Sequence, residues 1–510
     1  MNSNPFPEPL KLFLKLLLTG KNHPLTSEKT DRLINSIGQD ICRAATNDEW
    51  KLTKHILLCA SIRHLYRSKQ LTNILFRLGH CESYDFSLDL EYAQAKVINE
   101  ASSLLTPKIL TGESNILFHS EWDNLNKIMT NIHGCNVVNS AGGIMIQEVS
   151  LSPQTNQAVR SLPTTKRDHK RSQIEPPPSL VPIHLYDRNG PKFPNNASFK
   201  TLPDNEQHML CAMKHYYLWL FSRNLGSCGQ QTVPALGGFI SVTGKKPEKK
   251  STIDYYFPIN EPITEYSTVS ELLKQSSEAT SEVGQKYVIT TFDLGVVMKA
   301  MPLIWKWPDH YKYHIVLIGQ FHTVMNYIGM LCNHKMLNSG YAEILIEAEL
   351  VTSGCLRGAL SGKAYEKALF GLKTLCEAME RLLIEQFIEN ENVKLDDPTA
   401  ILLLVKECNR ETLDNALKDP TTLELITKYQ KFEEKVRNGL LGKTAVFWFS
   451  FIEHARLVFM LLYSVKVNNF NLFHQCMGQM AELFFAFGGH NYSRYVKQIS
   501  KQEIQMMKLI

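Results

Sequence analysis

Through most of this chain apolar residues recur at three- and four-residue steps, and in a few places they cluster into short continuous runs. The first texture predicts amphipathic helices and the second buried strands. Residues 10–18 (LKLFLKLLL) form a short amphipathic helix and not a signal peptide, because Lys15 interrupts the run and no small-residue cleavage site follows. Helices are predicted across 27–106. Asn47 and Asp48 are positioned to cap a segment in which Leu52, His55, Ile56, Cys59 and Ile62 share a face, and a helix over 87–105 stops against Pro107.

The spacing then shortens. Residues 115–118 are β-prone and lead to Asp123. The Gly-rich stretch 134–149 offers two more strands around a turn at Asn139-Ser140-Ala141-Gly142-Gly143. Periodicity is lost from about 150 to 203, which holds Pro176-Pro177-Pro178 and the basic cluster Lys166, Arg167, His169, Lys170 and Arg171, and reads as a linker or surface insertion. A helix over 205–223 follows, then a polar loop with Lys245, Lys246, Lys249 and Lys250.

Regular alternation begins at 266. A capping box of Thr268 and Glu271 starts a helix running to about 281. A strand over 287–292 ends in Asp293, a helix spans 294–305, a strand over 314–318 ends at Gly319, and a helix covers 321–336. Beyond 340 the pattern is helical, with Asp397-Pro398 and Asp419-Pro420 as starts. No internal repeat is evident.

Three antiparallel strands, an insertion, then β-α-β crossovers give the order of the ribonuclease H topology. The predicted class is therefore α/β plus α. It comprises a ribonuclease H-like mixed five-stranded sheet, interrupted by an insertion, with N-terminal and C-terminal helical regions. The boundaries are 1–108 for the N-terminal helices, 109–149 with 266–340 for the core, 150–265 for the insertion with one helix, and 341–510 for the C-terminal helices.

Composition adds limits. The 510 residues are 44% hydrophobic, enough for packed cores, and a net charge of +5 is compatible with nucleic acid without requiring it. Eleven cysteines without a C-x-x-C pair suit free thiols in a reducing compartment, nuclear or cytoplasmic. Residues 444–463 approach the length of a membrane span, but Glu453, His454 and Arg456 interrupt them. A buried helix with one polar face is expected there, and no membrane crossing.

In the predicted topology the first and fourth strands are neighbours, so Asp123 and Asp293 converge. Glu347, with Glu343 and Glu349 beside it, is the expected third carboxylate. Hard oxygen ligands of this kind hold two Mg2+ (or Mn2+) ions about 4 Å apart for phosphodiester cleavage. His322 can touch a phosphate or help place a ligand. The bland alternatives are that Asp293 only caps the helix after it and that His322 is a core histidine. The basic clusters read either as DNA-backbone contacts or as solvated loops. Two stripes are expected to be core: Phe447, Phe451, Ala455, Val458 and Leu462, and Leu372, Cys376, Met379 and Leu383.

Several motifs together resemble a large domain family of unknown function. They are Trp122-Asp123-Asn124, Gly142-Gly143-Ile144-x-Ile146-Gln147, Thr291-Phe292-Asp293, Gly319-x-Phe321-His322-Thr323, Ser361-Gly362-Lys363-x-Tyr365 and Gly489-His490-Asn491-Tyr492-x-Arg494-Tyr495. The resemblance runs from about residue 50 to the end. Members are multi-copy proteins of invertebrate and fish genomes that look like remnants of mobile elements, and a looser likeness extends to Mutator-type DDE transposases. It implies a transposase-derived protein with a DDE-type, metal-dependent DNA strand cleavage and transfer core, with DNA as partner and self-association compatible. Relatives continue past the His-Asn-Tyr motif and this sequence stops at Ile510, so a truncated or degenerate copy is expected, and a non-catalytic nucleic-acid- or protein-binding scaffold is the alternative.

Overall fold

The computed structural model describes residues 7–20, 28–100, 117–125, 127–131, 134–150, 180–183, 185, 205–226, 233–244 and 249–507. The chain forms two compact units where the sequence suggested four regions.

The described part of the first unit is helical: Glu8–Thr19, Glu28–Ala45, Thr53–Tyr66, Lys69–Arg77 and Tyr84–Glu100. Leu14 of the first helix packs with Ile34, Cys42 and Leu52, so the 10–18 stretch is amphipathic as expected. Leu52, His55, Ile56, Cys59 and Ile62 are buried. Asn47 and Asp48 do not cap the helix after them. They take left-handed conformations (φ 47° and 63°) just past the preceding helix, where Asn and Asp are tolerated, and Asp48 accepts a 2.6 Å bond from Arg43.

The second unit is built on a sheet. Its strands are β1 (Phe118–Asn124), β2 (Lys127–Asn131), β3 (Gly134–Val138), β4 (Ala141–Ser150), β5 (Lys249–Tyr255), β6 (Val288–Phe292) and β7 (His314–Ile318). Five of them form one mixed sheet in the order β5-β4-β1-β6-β7, and β2 and β3 pair only with each other. β4 runs antiparallel to both β1 and β5, while β1, β6 and β7 are mutually parallel. The expected parallel pairing of the strand at Asp123 with the strand before Asp293 is present.

The third antiparallel strand is not where the sequence pattern put it. One of the two strands in 134–149 belongs to the small β2–β3 hairpin, and its place in the sheet goes to β5, in a stretch that reads as a polar loop. β5 lies at the sheet edge with Ile253 and Tyr255 exposed, so burial leaves no apolar imprint on it. The core therefore draws on 249–255, inside the expected insertion. The basic residues 166–171, Lys245 and Lys246 lie outside the described residues.

Two local devices hold β1. Gln285 donates to the Phe118 carbonyl (3.0 Å) and accepts from the Phe118 N–H (2.8 Å), tying the start of β1 to the turn before β6. Near the other end, the Trp122 ring lies over Gly143, where any Cβ would collide with it. The ring stacks on Tyr256 at 4.3 Å and donates to Ser276 at 2.9 Å.

The helices Tyr266–Glu282 and Leu294–Lys306 pack on this sheet. No capping box forms at the first. Its N-cap is Glu265, Thr268 is buried, and Glu271 instead meets Gln275 and Lys274. Of the two Asp-Pro starts, Asp419 caps Pro420–Arg437 through Thr422, whereas Thr399–Lys406 begins after Pro398 without a side-chain cap.

The remaining helices run from Gln320 to Met507. The last, His490–Met507, returns to pack on β7 and on Leu294–Lys306, which docks the C-terminal helices on the sheet. Helices Asn205–Gly226, Tyr365–Glu391, Pro420–Arg437 and Lys443–Lys466 meet around Arg456. Its guanidinium donates to both Glu380 oxygens (2.6 and 2.7 Å) and to Glu433 (2.6 Å). Tyr216 and Tyr429 donate to Glu380 and Tyr217 to Glu433, so every charge there is satisfied. Lys443–Lys466 is long and apolar enough to cross a membrane, but half of its apolar window is buried inside the fold. Phe451, Ala455 and Val458 are core as expected, whereas Phe447 is 37% exposed.

Candidate functional site

The register of β1 and β6 sets the site. Trp122 pairs with Phe292, so Asp123 and Asp293 are the next residues on two adjacent parallel strands, at the carboxyl edge of the sheet. β7 ends opposite Phe292, and the Gly319 N–H donates to the Phe292 carbonyl at 2.8 Å. The chain then enters the helix Gln320–Met330, whose first turn carries His322.

His322 Nε2 lies 3.5 Å from Asp123 Oδ2, and the Asn124 N–H donates to Asp123 Oδ1 at 2.7 Å. The bond to His322 is the main cause holding the Asp123 carboxyl below its ordinary range. The same bond, joined by the charges of Asp123 and Asp293, raises His322 above the ordinary histidine value. The Asp123 side chain is 62% exposed and that of His322 31%, so the pair stands at the surface. His322 is therefore not a core histidine.

Asp293 caps the helix after it, and its second carboxylate oxygen lies apart from that bond. Its Oδ1 accepts the Val296 N–H at 2.9 Å and caps Leu294–Lys306. Its Oδ2 faces Gly295, where a Cβ would stand 3.3 Å away, so glycine keeps that oxygen clear.

Glu347 forms no bond with Asp123, Asp293 or His322. It sits exposed at the end of the helix Tyr341–Glu347 and makes no hydrogen bond or ion pair among the described residues. No trio of His, Cys, Asp or Glu among the described residues is arranged to hold a metal ion. What the carboxyl edge offers is two carboxylates, hard oxygen donors of the kind that hold Mg2+ together with waters and substrate phosphates.

Two residues without an assigned role in the sequence complete the site. Asn326, one turn beyond His322, donates to the His322 carbonyl (2.7 Å) and to the Tyr492 hydroxyl (3.0 Å). Tyr492 comes from the last helix and stacks on Phe484 at 4.5 Å. Burial pushes its hydroxyl up, and the charge of Asp293 adds to that rise. The only sequence signal for Tyr492 was its motif with His490 and Asn491. The Ser361-Gly362 motif also has a structural use. Gly362 (φ +75°) lies so close to the Met325 carbonyl that no Cβ fits, so this turn packs directly on the helix bearing His322.

No curated protein and no solved structure matches the chain. A family model described as a domain of unknown function (DUF8702) matches residues 237–509, a stretch that includes Asp293, His322, Asn326 and Tyr492 but not Asp123. That match spans more than half of the sequence, and the chain belongs to this family.

Proposed function

We propose that this is a transposase-derived protein with a ribonuclease H-like core, acting on DNA inside the cell through DDE-type, metal-dependent strand cleavage or transfer. One observation carries the reading: Asp123 and Asp293 end neighbouring parallel strands in a sheet ordered β5-β4-β1-β6-β7, and His322 is bonded to the first of them. The two carboxylates would hold Mg2+ or Mn2+, which when bound supplies Lewis-acid stabilisation of charge on the phosphodiester. Asp293 is held rigidly by its capping bond, and His322 restrains the Asp123 carboxylate while adding positive charge where a phosphate would enter. That no three acidic, His or Cys side chains among the described residues gather as a metal site favours a second reading, a non-catalytic descendant that keeps the fold and binds nucleic acid or protein.

A nicking assay on supercoiled DNA with Mg2+ or Mn2+ separates the two. Asp293→Asn preserves the cap, since Asn and Asp serve equally well there, and removes the charge. Nicking by the wild type that is lost in this variant supports the enzyme. Equal nicking by both, or by neither, leaves the non-catalytic reading standing.

A further inference from the structure

At the opposite edge of the same sheet, the amino ends of β6 and β7 carry a group of lysines and aromatic rings. Lys286 Nζ lies 5.5 Å from the centroid of the Tyr287 ring and 5.2 Å from that of Tyr313, and Lys312 Nζ lies 5.6 Å from Tyr313. The two rings meet edge to face at 5.8 Å. Tyr313 is 40% exposed and Trp307, at the end of the helix before β7, is 39% exposed. Lys286, Lys306, Lys312 and His310 are exposed as well, and Asp309 is the single acid in 306–313. Among the described residues none of these three lysines forms an ion pair with a carboxylate.

The ring face of Tyr313 attracts both ammonium groups, which repel each other and form no ion pair among the described residues. A phosphate shared between them would relieve that repulsion. The exposed rings of Trp307 and Tyr313 offer surfaces on which an unpaired base can stack, whereas a duplex keeps its base faces stacked within itself. We infer that Lys286, Lys312, Tyr313 and Trp307 form a binding surface for single-stranded nucleic acid, with the lysines on its phosphates and the rings on its bases. The inference rests on nucleic acid being the partner, as proposed above, and not on cleavage. Five residues of strand, about 17 Å, separate this surface from Asp123 and Asp293.

Fluorescence anisotropy of the full chain with labelled oligothymidylate and oligouridylate, in EDTA and over a series of salt concentrations, tests it. Wild type should bind at low salt. Lys286→Gln with Lys312→Gln should weaken binding and flatten the plot of log affinity against log salt by about 1.4, two single-strand phosphate contacts. Trp307→Ala should weaken binding about ten-fold with the salt slope unchanged. EDTA removes the metal that nicking needs, so cleavage plays no part in this readout and a failed nicking assay and a failed binding surface remain distinguishable. Binding of either oligomer that is lost in this pattern supports the surface. The inference is overturned if wild type binds neither oligomer at low salt. It is equally overturned if the double lysine variant, with wild-type circular dichroism, keeps wild-type affinity and slope.

Discussion

Two charged clusters in the second unit show how differently a fold treats ionisable groups. Around Arg456, two glutamates, one arginine and three tyrosine hydroxyls are sealed between four helices, with Glu380 fully buried and Glu433 and Arg456 each 5% exposed. Each oxygen of the two carboxylates accepts a bond. Around Asp123, the charges stand at the sheet edge, bonded at 3.5 Å, with Asp293 Oδ2 kept clear. Closed satisfaction is the mark of a structural network, because desolvated charge is tolerated only when fully paired. Partial satisfaction at an accessible edge leaves carboxylate oxygens open to solvent, where no such pairing is required. The comparison also explains why the apolar helix Lys443–Lys466 carries Arg456 in its middle: the arginine meets its partners inside the fold.

The largest expected effect breaks the closed cluster. Arg456→Ala leaves two buried glutamates without their cation and should cost about 3–5 kcal/mol, read from chemical denaturation. Replacing Arg456, Glu380 and Glu433 together by apolar residues of similar volume should restore most of that loss. If the triple variant is as unstable as the single one, pairing is not what the cluster contributes.

A smaller effect comes from His454, two residues before Arg456 on the same helix. Its Nδ1 lies within hydrogen-bond distance of the Tyr327 hydroxyl (3.0 Å), and burial, aided by the nearby charge of Lys335, lowers its pKa to about 4. The unfolded chain titrates near 6.5 and so binds the additional proton between those values. Stability should therefore fall as pH drops from about 6.5 to about 4, by about 3 kcal/mol in all. His454→Gln should flatten that slope in thermal unfolding, and an unchanged slope would assign it to another group.

The smallest expected change in stability lies at the open site. Asp123→Asn removes a surface pair and should alter stability by less than about 1 kcal/mol. It should nevertheless move the His322 titration to lower pH, read by NMR of its ring protons. The raised histidine contributes stability that is lost as pH rises through its folded value, and the lowered carboxyl contributes stability that is lost as pH falls through its own. An unmoved His322 titration would show that the 3.5 Å contact does not persist in solution.

Local pattern was sufficient for much of this molecule. The β-branched runs at β6 and β7, the apolar spacing of the long helices and the two aspartates at strand ends were all legible, because burial imposes a period of two or 3.6 within a few residues. Tertiary structure decided the rest. β5 is an edge strand whose exposed face leaves no apolar signature, so only pairing with β4 identifies it. Glu347 looked like a third ligand because it lies on an acidic helix after the last strand, yet among the described residues no three His, Cys, Asp or Glu side chains gather as a metal site. Tyr492 stands 166 residues from Asn326, and nothing in either neighbourhood encodes their contact. Contacts across such distances are set by how helices bury one another, which no local spacing records.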